Sequence, residues 1–126
     1  MRDRESVYLH HLWASFTGDT VAAPFSAWAP YVAAMSRPGI AASSSSFYRA
    51  TYESAEQVQK LLARKLELPV LAIAGEKGMG QNHEALVRAF ATSLRGNVIL
   101  PGAGHFLAEE RPKEVATALR AFLAEP

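Results

Sequence analysis

Pro69-Val70-Leu71-Ala72-Ile73-Ala74-Gly75 is an unbroken apolar run closed by a glycine. A run of that length and composition predicts a β-strand buried on both faces, the kind found in parallel sheets. Glu76-Lys77-Gly78-Met79-Gly80 then reads as a loop, and Leu86, Val87, Phe90 and Leu94 mark one face of a helix that Gly96 closes. Asn97-Val98-Ile99-Leu100 is a second, shorter buried strand, followed by Pro101-Gly102-Ala103-Gly104-His105. A last helix starts near Pro112, a residue suited to a first turn, and turns Val115, Leu119, Phe122 and Leu123 inward. Strand, helix, strand, helix implies a right-handed crossover between parallel neighbours. Parallel strands seldom stand as an isolated pair, so the expected fold is α/β with a partial sheet.

The chain before Glu67 has a different pattern. Leu9, Leu12, Trp13 and Phe16 fall at i, i+3, i+4 and i+7, a helical face that Gly18 and Asp19 end. Ser26 is placed to cap a second helix carrying Trp28, Tyr31, Val32 and Met35, with Pro30 early and Arg37-Pro38-Gly39 as its stop. Residues from Ile40 to Tyr52 read as a third helix in spite of Ser43-Ser44-Ser45-Ser46, because alanines and aromatics flank the serines. Val58, Leu61, Leu62 and Leu66 suggest a shorter fourth helix or an irregular descent. Two segments result: a helical one over 1–66 and a β-α-β-α one over 67–126.

Composition narrows the functional classes. The 126 residues are 49% hydrophobic and carry a formal net charge of +1. That apolar content argues against disorder, and the near-neutral charge against a nucleic-acid surface, which needs clustered Lys and Arg. The chain has no cysteine, which excludes disulfides, thiolate metal sites and cysteine nucleophiles. Met1-Arg2-Asp3-Arg4-Glu5 lacks the apolar stretch of a secretory signal, and Leu68–Ala74 falls far short of the ~20 residues of a membrane span. The expectation is a soluble, cytoplasmic protein with no membrane partner.

The strongest chemical signal is Gly102-Ala103-Gly104-His105-Phe106. A histidine just past the C-terminal end of a parallel strand lies where α/β proteins place their active sites. An imidazole of ordinary pKa near ~6.5 is mostly neutral at physiological pH, as a general base must be. The bland alternative is that His105 fills a loop. Other candidates are weaker. His10 and His11 are adjacent and diverge by ~100° on a helix, so they grip one metal poorly. His83 and Glu84 read as the exposed first turn of a surface helix. Gly75, Gly78 and Gly80 lack the lysine spacing of a phosphate loop. Glu109-Glu110, beside Arg111 and Lys113, reads as a solvated helix start whose charge suits the helix dipole.

Leu68-Pro69-Val70-Leu71-Ala72-Ile73-Ala74-Gly75-Glu76-Lys77, a helix, then Gly102-Ala103-Gly104-His105-Phe106-Leu107 with Glu109-Glu110-Arg111-Pro112 resembles the C-terminal end of α/β-hydrolases. The resemblance covers roughly Phe47 to Leu123 well and residues 1–46 more loosely, where the helices look like the lid that family places over its site. It implies a catalytic His105. Phe47-Tyr48-Arg49-Ala50 looks like the lid motif of the epoxide-hydrolase branch, which implies that the Tyr48 phenol protonates the opening epoxide. The alternative for Tyr48 is packing. By the same resemblance Phe106, Trp28 and Phe47 would contact a small hydrophobic substrate.

Two departures stand out. Where the family carries an acid to orient the histidine, this chain reads Glu76-Lys77-Gly78; Gly78 cannot serve, and Glu76 is the nearest substitute or else a structural carboxylate. The nucleophile elbow, the oxyanion loop and most strands have no counterpart, and neither Asp3 nor Asp19 suits the nucleophile. The sequence looks like the last two fifths of such an enzyme, starting at the lid. The resemblance implies no metal and no cofactor. It leaves open an esterase or a haloalkane dehalogenase lineage, and a catalytically inactive fragment or interaction module. The last would use bare strand edges to pair as a homo-oligomer or with the missing N-terminal half.

Overall fold

The computed structural model describes residues 4–19, 28–80 and 82–124. Seven helices and two strands lie along these residues: α1 (Glu5–Phe16), α2 (Ala29–Met35), α3 (Ile40–Arg49), α4 (Thr51–Leu62), β1 (Leu66–Gly75), α5 (Asn82–Phe90), β2 (Ala91–Leu100), α6 (Leu107–Glu110) and α7 (Pro112–Ala124). No helix among the described residues is long and apolar enough to cross a membrane. The chain divides into two compact units. One holds α1 up to Ser15 with α2, α3 and α4; the other holds Phe16–Asp19 and everything from Leu62 onward.

In the helical unit, Trp28 alone among the described residues is buried. Trp13 meets it edge-on with ring centroids 4.9 Å apart, and His10 stacks on it at 5.1 Å. Such aromatic pairs add about 0.5–1.5 kcal/mol beyond the area they bury. Trp28 is the N-cap of α2, and Pro30 falls in the first turn. Ser26, expected as that cap, lies outside the described residues. The serine run is helical: Ser45 and Ser46 donate their hydroxyls to the carbonyls of Ala41 and Ala42, one turn back. The helix expected to reach Tyr52 breaks instead at Ala50, where Thr51 donates its hydroxyl to the Tyr48 carbonyl and begins α4.

Gly39 separates α2 from α3 with φ of +86°, and nothing lies within 4 Å of where its Cβ would be. The position therefore tests backbone conformation without steric overlap. Gly39→Ala is expected to destabilise the helical unit by about 1–2 kcal/mol, the cost of forcing an L-residue left-handed. Thermal unfolding followed by circular dichroism measures it.

In the second unit β1 and β2 pair in parallel as a two-stranded sheet. The register steps from Leu66↔Ala91 to Pro69↔Ser93, then from Val70↔Leu94 to Leu71↔Gly96. The first shift puts an extra residue in β1 and the second an extra residue in β2, so the strands end level at Gly75↔Leu100. The helix expected to run to Gly96 stops at Phe90, and β2 begins directly at Ala91. Thr92 and Ser93 are poor helix formers, and Thr92 donates its hydroxyl to the Leu66 carbonyl across the sheet. Leu94 still reaches the core, from a strand rather than a helix. Gly96 is not a helix cap; it faces Leu71, whose Cδ1 would lie 2.7 Å from an added Cβ.

The core is made of small residues. Ala72, Val87 and Ala91 form its buried centre, with Val70, Phe90 and Leu94 packed around it. Both α5 and α7 pack on the two strands. Burial on both faces of β1 holds only toward its C-terminal end, where Ala72, Ala74 and Gly75 are buried; Leu66 is 46% and Leu68 66% exposed. The inward face expected for α7 is likewise partial. Val115 and Phe122 are half-buried, whereas Leu119 and Leu123 are exposed. Periodicity fixes which residues share a face, and what that face meets is a separate matter.

Candidate active site

Three segments converge at the C-terminal ends of the strands. The loop after β1 is laced to the loop after β2: Glu76 N–H donates to Leu100 O at 3.1 Å, and Lys77 N–H to Ala103 O at 2.9 Å. Phe16–Asp19 closes over the same loop, with Asp19 N–H donating to Gly102 O at 2.7 Å and His105 N–H to Phe16 O at 2.8 Å. These approaches need glycine. A Cβ on Gly104 would overlap the Phe16 carbonyl and the Gly18 amide, and one on Gly75 would overlap the Gly104 carbonyl.

At the centre is a carboxylate. Glu110, at the end of α6, is buried. Its Oε2 accepts the Gly104 N–H at 2.8 Å and the Gly18 N–H at 2.9 Å, while Oε1 accepts the Phe106 N–H at 3.0 Å. The expectation of a solvated helix start fails for this residue. A buried carboxylate persists only with hydrogen bonds that replace its hydration, and three backbone amides supply them. The missed signal was spatial: one of the three donors stands 92 positions away in the chain.

His105 is presented outward from this clamp. Its ring is exposed and lies against Phe16 (centroids 5.8 Å) and edge-on to Phe106 (5.2 Å). No described carboxylate hydrogen-bonds the ring. Glu76 instead accepts the Gly102 N–H at 2.9 Å, so its carboxylate braces the loop that carries His105. Gly78, in the family's acid position, donates its N–H to Gly75 O. Asp19 sits 3.6 Å from Lys77 in an exposed ion pair. Asp3 lies outside the described residues.

A half-open pocket of about 100 Å³ adjoins the imidazole, lined by Ile73, Gly75, Met79, His83, His105 and Leu107 among others. Its size suits a few heavy atoms, such as the reacting end of a larger molecule. His83, expected on an exposed surface, lines this pocket and is half-buried; its Nδ1 is buried and has no hydrogen-bond partner. Glu84 is half-buried too, accepting from Arg88 and Asn97. Among the described residues no three His, Asp or Glu side chains cluster as metal ligands.

Tyr48, Phe47 and Trp28 belong to the helical unit. Phe47 and Tyr48 are exposed at the end of α3, their rings edge-to-face at 5.8 Å, whereas Trp28 is the buried anchor of α2. The structure thus brings His105, Phe106 and Glu76 into one loop cluster and assigns the other three to a separate body.

No protein-family model matches the sequence, and no curated protein matches it. Solved structures do. The chain is similar to ALR0039 from Nostoc sp. PCC 7120, described as "a putative alpha/beta hydrolase", with 29% identity and a TM-score of 0.77 over 98% of this chain. It is also similar to Cfl2 from Burkholderia cenocepacia, with 33% identity and a TM-score of 0.66 over 73% of this chain. It spans 43% of the first protein and 31% of the second. The fold is α/β, rich in helix, with a two-stranded parallel sheet like part of an α/β-hydrolase.

Proposed function

We propose that this chain carries the histidine and lid elements of an epoxide-hydrolase-like α/β-hydrolase. The observation that carries the reading is His105: an exposed imidazole on a glycine loop past a parallel strand, opening on a small pocket. Likeness to ALR0039 adds to it. In the complete site an aspartate from a nucleophile elbow attacks an epoxide carbon and the C–O bond breaks. Tyr48 gives its proton to the departing oxygen, and His105 takes a proton from water as that water cleaves the ester to a diol. The aspartate comes from outside this sequence, so turnover is measured with an elbow-bearing N-terminal segment supplied. In that complex His105→Ala is expected to slow ester hydrolysis by about 10²–10⁴-fold, with the covalent ester accumulating and visible by mass spectrometry. A folded, inert complex in which Tyr48→Phe changes nothing overturns the assignment.

The exposed Leu66 and Leu68 favour a second reading, in which the sheet pairs with another copy of the chain. Light scattering decides between them: a monomer at all concentrations removes the pairing.

A further inference from the structure

The hydrogen bonds of Glu110 point to a role beyond holding the loop together. Its two carboxylate oxygens accept the amides on either side of His105, Gly104 through Oε2 and Phe106 through Oε1. The amide of His105 itself is spoken for by Phe16 O, and Gly18, two residues on, returns to Oε2. The geometry points to Glu110 as the positioning residue of His105. The buried anion holds the Ala103–Gly104 and His105–Phe106 peptide planes, the Phe16 carbonyl holds the Gly104–His105 plane between them, and together they fix the direction in which the imidazole leaves the backbone. This deepens the hydrolase reading and rests on it for the word catalysis; the orientation itself does not.

The physical argument is one of constraint. A histidine that follows a glycine-rich turn has many φ/ψ choices, and an exposed ring touched by Phe16 and Phe106 has little packing to select among them. Charge-assisted bonds from the Gly104 and Phe106 amides, with the Phe16 carbonyl on the His105 amide, remove those choices without covering the ring. The rings of Phe16 and Phe106 then stand at fixed distances of 5.8 and 5.2 Å from the imidazole. Glu76 cannot replace the clamp, because it holds only Gly102, three residues upstream.

The test uses the whole chain and the imidazole proton resonances of its four histidines. In the native protein the Hδ2 and Hε1 signals of His105 are expected to be displaced from free-histidine positions by the ring currents of Phe16 and Phe106. Glu110→Gln keeps the size and one acceptor oxygen but sets an NH2 against an amide donor. The His105 displacement is expected to collapse toward the free position, while the His83 signals stay where they are. A folded Glu110→Gln protein with unchanged His105 signals overturns the proposal and leaves Glu110 a stabilising group only. Should that variant not fold, acidifying the native protein gives the same answer. The amide shifts of Gly104 and Phe106 report Glu110 protonation, and His105 must lose its displacement in that same step. Asp19, Glu76, Lys77, Glu109 and Arg111 are the other charged groups of these segments, so a movement following only the imidazole's own titration counts against the clamp. An inert complex of the native chain, whose His105 signals are displaced and collapse in Glu110→Gln, would instead sink the catalytic reading and spare this one.

Discussion

Gly104→Ala is expected to unfold the sheet-bearing unit or leave it barely stable. The added Cβ would stand 2.5 Å from the Thr17 carbonyl carbon and closer still to the Phe16 oxygen and the Gly18 nitrogen, where 3.4–4 Å is ordinary contact. All three atoms are backbone, so no rotamer change relieves the overlap. Two segments must part instead, and in parting they give up the His105–Phe16 and Asp19–Gly102 bonds and the Glu110 bond to Gly18. Overpacking a site that cannot relax costs about 3 kcal/mol or more, a large share of the 5–15 kcal/mol that holds an ordinary domain together. Gly96→Ala is the fitting comparison: its Cβ meets only the movable end of Leu71, and a cost near 1 kcal/mol is expected. Urea midpoints of the two variants, read by tryptophan-independent circular dichroism, should separate clearly. Equal midpoints would mean that the 16–19 segment does not close on the loop as described.

How far the sequence revealed this arrangement depends on whether the cause was local. The strand at Pro69–Gly75, the glycine stop at Gly39 and the histidine after β2 were legible because each is written in consecutive residues. The boundary at Phe90/Ala91 was not. Phe90 and Leu94 sit four apart, which fits one helix face, yet pairing with β1 gives Ala91–Leu94 hydrogen bonds that a helix end would lack. Leu119 and Leu123 have the right period for a buried face and are exposed all the same. His83 and Glu110 were misjudged for one reason. Charged or polar residues at a helix end are usually solvated, and the groups that bury these two come from loops distant in sequence.

Glu110→Ala carries the other large effect, and its size follows from what is left behind. Removing the carboxylate strips the amides of Gly18, Gly104 and Phe106 of their acceptor at once. A buried donor left unpaired costs about 1–3 kcal/mol, so even with water entering to satisfy one of them a loss of about 3–5 kcal/mol is expected. The exposed ion pair of Lys77 with Asp19 gives the scale: Lys77→Ala should change stability by about 0–1 kcal/mol, because solvent and salt already screen it. Hydrogen exchange distinguishes a general loss from a local one. The Gly18, Gly104 and Phe106 amides should lose protection together in Glu110→Ala, and keep it in Lys77→Ala. Were those amides still protected in the folded Glu110→Ala protein, some other acceptor would have to hold the loop, and the burial of Glu110 would no longer explain why the 16–19 segment lies against it.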